Sequence, residues 1–109
     1  MSQGYRAAVD AAAIFSETDM QGNITYVNEQ FCAISGYSVH ELLGKNHRIL
    51  NSSLHPPEFF AELWKTISSG KVWKGEICNI RKDGTLYWVE STIVATYDSE
   101  ANVKKYVSI

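Results

Sequence analysis

Between Gly44 and Asn51 the chain reads GKNHRILN, and this short run carries three kinds of polar chemistry. His47 is an imidazole, a group that exchanges a proton near neutral pH. Arg48 is a guanidinium, whose planar fork suits bidentate pairing with phosphate or carboxylate oxygens. Asn46 and Asn51 are amides that both donate and accept. Beside Ile49 and Leu50 the set reads either as one wall of a binding site or as a solvated loop in which His47 and Arg48 face water. Another amide, Asn79, lies farther along among apolar residues, where an amide without a partner is costly to bury. No nucleophile–base pattern and no metal-ligand spacing accompanies these residues, so the chemistry they suggest is binding and proton exchange, not enzymatic catalysis.

The rest of the sequence bounds what could position them. At 109 residues the chain makes one small domain with one core. Hydrophobic residues make up 45% and charged residues 20%, an ordinary globular balance that argues against disorder. A net charge of -2 with scattered Lys and Arg gives no basic footprint for nucleic acid. No apolar run approaches the ~20 residues of a membrane span, and no signal-peptide layout is present, so a cytoplasmic location is expected. Cys32 and Cys78 form no CxxC and read as reduced thiols in the core or half-buried.

Residues 1–12 form an Ala-rich N-terminal cap or linker, with one or two helical turns expected over Gly4–Ala12. From residue 13 onward the elements are closely spaced. Ala13–Thr18 and Ile24–Val27 flank DMQGN as a hairpin. Asn28 suits the N-cap of a short helix that turns Phe31, Ile34 and Cys32 inward and stops at Gly36. Ser38 and Glu41 form a capping box for another short helix ending at Gly44. Pro57 opens a longer helix to Ser69, with Phe59, Phe60, Leu63, Trp64 and Ile67 at helical spacing. The last third is strand: WKGEICNI and TLYWVESTIVATY around RKDG, then VKKYVSI after DSEAN.

A three-residue loop, Lys82 to Gly84, with Gly84 left-handed, fixes the register of that hairpin. It pairs Arg81 with Thr85, Asn79 with Tyr87 and Ile77 with Val89. One face then carries Trp73, Gly75, Ile77, Asn79, Tyr87, Val89, Ser91 and Ile93, apolar apart from one amide and one hydroxyl, and this is the natural inside. Leu86, Trp88, Ile80 and Val94 fall on the other face, which is more apolar than a solvated face normally is. The expected architecture is α+β, a five-stranded antiparallel sheet with short helices and one longer helix on one face.

The stretches SETDMQGNITYVNEQFCAISGY, ELLGKN and RKDGTLYWV resemble the PAS domain family over nearly the whole chain, with residues 13–109 as the domain. PAS domains hold flavins, haem, small acids or nothing, so fold alone does not assign function. GKNHRILN is similar to the flavin-cradling segment of LOV photoreceptor domains, Gly-Arg-Asn-Cys-Arg-Phe-Leu-Gln, with His47 at the position of the reactive Cys. The resemblance therefore implies flavin binding without the thiol photochemistry. The wider pattern, HRIL, VWKGEICNIRKDGTLYWV and YVSI, is more similar to the FAD-binding PAS domains of aerotaxis receptors, nitrogen-fixation regulators and methane-monooxygenase sensors, which respond to oxygen or redox state.

That resemblance implies a cofactor site of Ser16, Asn28, Asn46, His47, Arg48, Asn51, Trp64, Trp73, Asn79, Tyr87, Val89 and Ser91. Asn79 matches the strand amide that meets the flavin's pyrimidine edge; the second LOV amide is Val89 here, and the strand glutamine would fall beyond Ile109. FAD is preferred to FMN, because an adenine-ribose-phosphate half adds contacts. Each residue also has a plainer reading. Asn28 is a helix cap, Arg48 a surface charge, Trp64 a core residue, Ser16 a strand hydroxyl, His40 solvated and His55 a loop residue. The competing classes are a haem-binding domain with His47 or His55 as axial ligand, and a cofactor-free module for dimerisation and signal relay. The expected partners are a second copy, through the outer sheet face or the N-terminal helix, and an output domain of the same polypeptide, such as a kinase, a chemotaxis-type transducer or a cyclase.

Overall fold

A computed structural model of the chain describes residues 13–109. Strands β1 (Ser16–Thr18) and β2 (Ile24–Val27) form the first, antiparallel hairpin. Asp19 sets its turn: the carboxylate accepts from the backbone N–H groups of Asn23 and Gln21, and these bonds hold the carboxyl below its usual range. Strand β1 starts later than the Ala13–Thr18 alternation predicts, because Asn28 competes for the preceding backbone. Its Oδ1 accepts from the Phe15 N–H at 3.1 Å, its Nδ2 donates to the Ala13 carbonyl at 2.6 Å, and its own N–H bonds the Phe15 carbonyl.

The same Oδ1 accepts from the Phe31 N–H and so caps α1 (Glu29–Ser35), which ends at Gly36 with φ 80°. Helix α2 (Val39–Leu42) carries the expected Ser38–Glu41 capping box. A single 3-10 turn, His47–Leu50, follows, and then α3 (Pro57–Ser68), with Pro57 at its first position. The expected helical turns over Gly4–Ala12 lie outside the described residues.

Strands β3 (Trp73–Ile80), β4 (Leu86–Tyr97) and β5 (Val103–Ser108) complete a five-stranded sheet in the order β2-β1-β5-β4-β3. The β3–β4 register agrees with the sequence expectation, Asn79 opposite Tyr87 and Ile77 opposite Val89, with Gly84 left-handed at φ 89°. Two apolar clusters form on the helical side. One joins Ile24, Val27, Phe31, Leu42 and Leu50; the other joins Leu63, Ile67, Ile77 and Tyr106. On the opposite face Leu86 and Trp88 stay more than half exposed, at 53% and 56%. Among the described residues, no helix is long and apolar enough to cross a membrane.

Candidate functional site

A cavity of about 660 Å³ opens between the inner sheet face, α3 and the α1–3-10 segment. Its first wall is GKNHRILN, and Asn46 fixes that wall in place. The Asn46 Oδ1 accepts from the Arg48 N–H, while Nδ2 donates to the Gln21 carbonyl (2.9 Å) and meets the Asn23 amide oxygen (3.3 Å). A backbone bridge between Asn23 and Asn46 adds to the same tie, so the 3-10 turn is pinned to the β1–β2 turn. Gly22 lets the two approach: it has φ 86°, and a Cβ there would sit 3.1 Å from the Trp64 ring and 3.3 Å from the Asn46 amide nitrogen.

His47 follows, partly buried in the cavity wall with its ring edge-on to Phe31 at 6.0 Å. Burial pushes its pKa down, which favours the neutral imidazole. Arg48 lines the cavity from an exposed position, and among the described residues its guanidinium makes no ion pair. Asn51 bridges to Asn79 on β3, and both line the cavity.

The sheet supplies the second wall. Asn79, Tyr87, Val89 and Ser91 line it in the register described, joined by Ser16 on β1. Burial pushes the Tyr87 phenol up, against the opposing effects of a hydrogen bond with Asn79 and the nearby Arg81 charge. Arg81 lies over the Tyr87 ring at 4.9 Å and donates from Nε to the Ile34 carbonyl at 2.9 Å, which locks the hairpin tip to the end of α1. At the other end of the cavity the Ser91 and Ser108 hydroxyls lie 3.3 Å apart.

Of the residues singled out in the sequence, Ser16, Asn46, His47, Arg48, Asn51, Trp64, Asn79, Tyr87, Val89 and Ser91 come together around this cavity. Asn28 and Trp73 do not. Every polar atom of the Asn28 side chain is already engaged by backbone, so it is the cap and strand-end clamp described above. The Trp73 indole folds back over Gly75, where a Cβ would meet it at 2.7 Å, and packs on Phe59 at 5.6 Å. Trp64 also departs from its core reading: it is 37% exposed at the cavity rim, edge-on to Tyr106 at 5.7 Å.

Sequence reasoning missed Thr18, Gln21, Tyr106 and Ser108, which also line the cavity. The period-2 alternation of VKKYVSI places Tyr106 and Ser108 on one face and was the available signal. His55 lies in the loop before α3, as expected, and is tied there: its Nε2 accepts from the Cys78 N–H at 2.9 Å. Cys32 and Cys78 are both free thiols and neither lines the cavity.

Residues 11–109 match the family model described as PAS domain. Over 99 residues the chain is 36% identical to the nitrogen fixation regulatory protein of Klebsiella pneumoniae, covering 91% of this chain and 20% of that protein. Over 100 residues it is 36% identical to the aerotaxis receptor of Escherichia coli K12, covering 92% and 20%. The chain thus spans about one fifth of these relatives. Among solved structures, a light-oxygen-voltage domain studied with a flavin analogue superposes with a TM-score of 0.88 at 28% identity, covering 99% of this chain and 83% of that one. The dark structure of the blue-light photoreceptor Aureochrome1 LOV gives 0.84 at 27% identity, covering 100% and 81%.

Proposed function

This chain belongs to the PAS domain family, and on that premise we propose that its cavity holds a flavin non-covalently, FAD in the first place, and senses redox state or oxygen. As a PAS domain it is a sensory signalling module rather than an enzyme. The observation that carries the flavin reading is the cavity itself. At about 660 Å³ it falls within the roughly 300–1,000 Å³ typical of cofactor sites, and a few polar groups converge on largely apolar walls. Neighbours studied with a flavin analogue or named as blue-light receptors support the same class of ligand.

A bound flavin supplies a redox couple that oxygen can reoxidise. In this reading Asn79 would hold the pyrimidine edge, and the Arg48 guanidinium would pair with phosphate oxygens. The His47 imidazole, held against Phe31, would serve as the base that accepts a proton at the cavity wall and later returns it. With no cysteine in the cavity lining, the chain has no thiol to attack a flavin, and illumination should leave no bleached adduct. The adenine-ribose-phosphate half of FAD gives Arg48 an added anionic partner, which favours FAD over FMN.

We also propose a homodimer through the outer sheet face, because Leu86 and Trp88 are more than half exposed there. Sedimentation of wild type against Trp88→Glu tests this, and unchanged monomeric behaviour in both would remove it. The output, whether kinase, transducer or cyclase, would be carried by another part of a longer protein, as the one-fifth coverage of the relatives suggests. Haem is the second ligand reading, and His47 is the imidazole that lines the cavity; His55 is committed to Cys78.

The test is the visible spectrum of the purified protein, followed by chromatography of the heat-released pigment. A flavin spectrum and released FAD are expected. A haem spectrum, or a colourless protein that takes up no added flavin, overturns the reading.

A further inference from the structure

Strand β3 is an edge of the sheet, and at Cys78 that edge is closed by side chains and not by another strand. The Cys78 N–H donates to His55 Nε2 at 2.9 Å, and the Cys78 carbonyl accepts from the Ser52 hydroxyl at 2.8 Å. One residue on, Asn79 bridges to Asn51. Residues 51–55 therefore form a strap along the β3 edge beside two cavity-lining amides.

The strap is built under local constraint. Ser53 has φ 66°, a left-handed conformation unusual for a residue with a Cβ. It is held by the Asn51 side-chain oxygen, which accepts from the Ser53 N–H at 2.8 Å, while the Ser52 hydroxyl accepts from the Leu54 N–H. The His55 ring is fixed as closely: stacked on Phe59 at 4.0 Å and 13°, and edge-on to Phe60 (5.9 Å) and Trp88 (5.7 Å). With Nε2 accepting, the neutral ring carries its proton on Nδ1. An imidazolium has no lone pair at Nε2, so protonation would set a donor against the Cys78 N–H.

We propose that His55 is a latch on the cavity wall: the neutral imidazole holds the strap to β3, and a proton on Nε2 releases it next to Asn51 and Asn79. The titratable and charged groups on the elements packed against the ring are Glu58, Glu62 and Lys65 of α3, Lys74, Glu76 and the Cys78 thiol of β3, and Tyr87, Glu90 and Tyr97 of β4. Cys78 and Tyr87 are buried, the others are exposed, and none forms an ion pair with His55. The latch concerns the wall whatever fills the cavity.

The test is amide hydrogen exchange by NMR on the protein without added ligand, from pH 8 to pH 5, with His55 titration followed on the ring carbons. Corrected for intrinsic rates, Cys78 protection should fall about tenfold as His55 protonates, the size of one hydrogen bond. His55→Gln, whose Oε1 offers an acceptor that does not titrate, should keep protection flat with pH. His55→Phe, which keeps the stacking but lacks the acceptor, should show low protection at every pH. A His47→Gln control should leave the pH-linked loss in place. Cys78 protection that stays constant through His55 protonation, a ring that remains neutral to pH 5, or a loss that persists in His55→Gln would each overturn the latch. Because no flavin enters the measurement, this outcome is independent of the ligand proposal.

Discussion

The two apolar clusters of this domain are built from similar residues but closed in different ways. In the first, Leu42 and Leu50 are fully buried against Ile24, Val27 and Phe31, and the surrounding chain ends are tied by Asn28, Asn46 and the Ser38–Glu41 box. In the second, Leu63, Ile67, Ile77 and Tyr106 all line the cavity, whereas of the first only Phe31 does, so the second turns more of its apolar surface toward space. Protein interiors are normally packed to near crystal density. On the proposed reading the first cluster is scaffold and a ligand completes the second.

The sharpest way to break that division is Leu50→Ala. It opens a void in the closed cluster and should cost about 2 to 5 kcal/mol, measured by urea unfolding. Added FAD should raise the stability of this variant by nearly the same increment as wild type, since the Leu50 side chain points into the closed cluster and does not itself line the cavity. Asn28→Ala comes next, at about 2 to 4 kcal/mol, because it strips the acceptor from the Phe15 and Phe31 N–H groups together. A milder loss with a reduced FAD increment would put Asn28 back in the binding site.

Gly22→Ala probes the seam between the clusters. A left-handed alanine pressed against Trp64 and Asn46 should cost about 1 to 2 kcal/mol and also weaken FAD binding, visible as a smaller Tm shift with ligand. The smallest expected effect is the pH dependence of His47. Its folded pKa lies below the unfolded value, so the unfolded chain binds more protons and stability falls as pH drops below about 6.5. Urea midpoints at pH 7.5 and 5.5 should differ less in His47→Gln than in wild type; an equal difference would remove the burial cost.

The scaffold half was the more legible in the sequence. Caps and turns announce themselves in a few adjacent residues, as Asn28, Ser38–Glu41, Pro57 and Gly84 did, and the β3–β4 register followed from one turn. The cavity was legible where a strand period fixed the face, as at Asn79, Tyr87 and Ser91. It was not legible where a side chain's use depends on partners distant in sequence. Asn28 is spent on Ala13, Phe15 and Phe31, Trp73 folds onto its own strand, and His55 finds Cys78 across 23 positions. Ser108 and Tyr106 were missed because β5 lacks a hairpin turn to fix its register against β1, although the pairing of Ser16 with Ser108 brings both hydroxyl residues to one end of the cavity.

The claim that the open cluster is a flavin site is tested most directly by equilibrium titration of FAD into ligand-free protein, wild type beside Asn79→Ala. Saturable binding by wild type is predicted, with affinity lowered about 5- to 150-fold in the variant, the equivalent of roughly 1 to 3 kcal/mol for an amide's hydrogen bonds. In the absence of FAD the variant should stay folded and lose only about 1 kcal/mol, the hydrogen bond between Asn79 and Tyr87. No saturable binding by wild type, or equal affinity in a folded Asn79→Ala, would contradict the account.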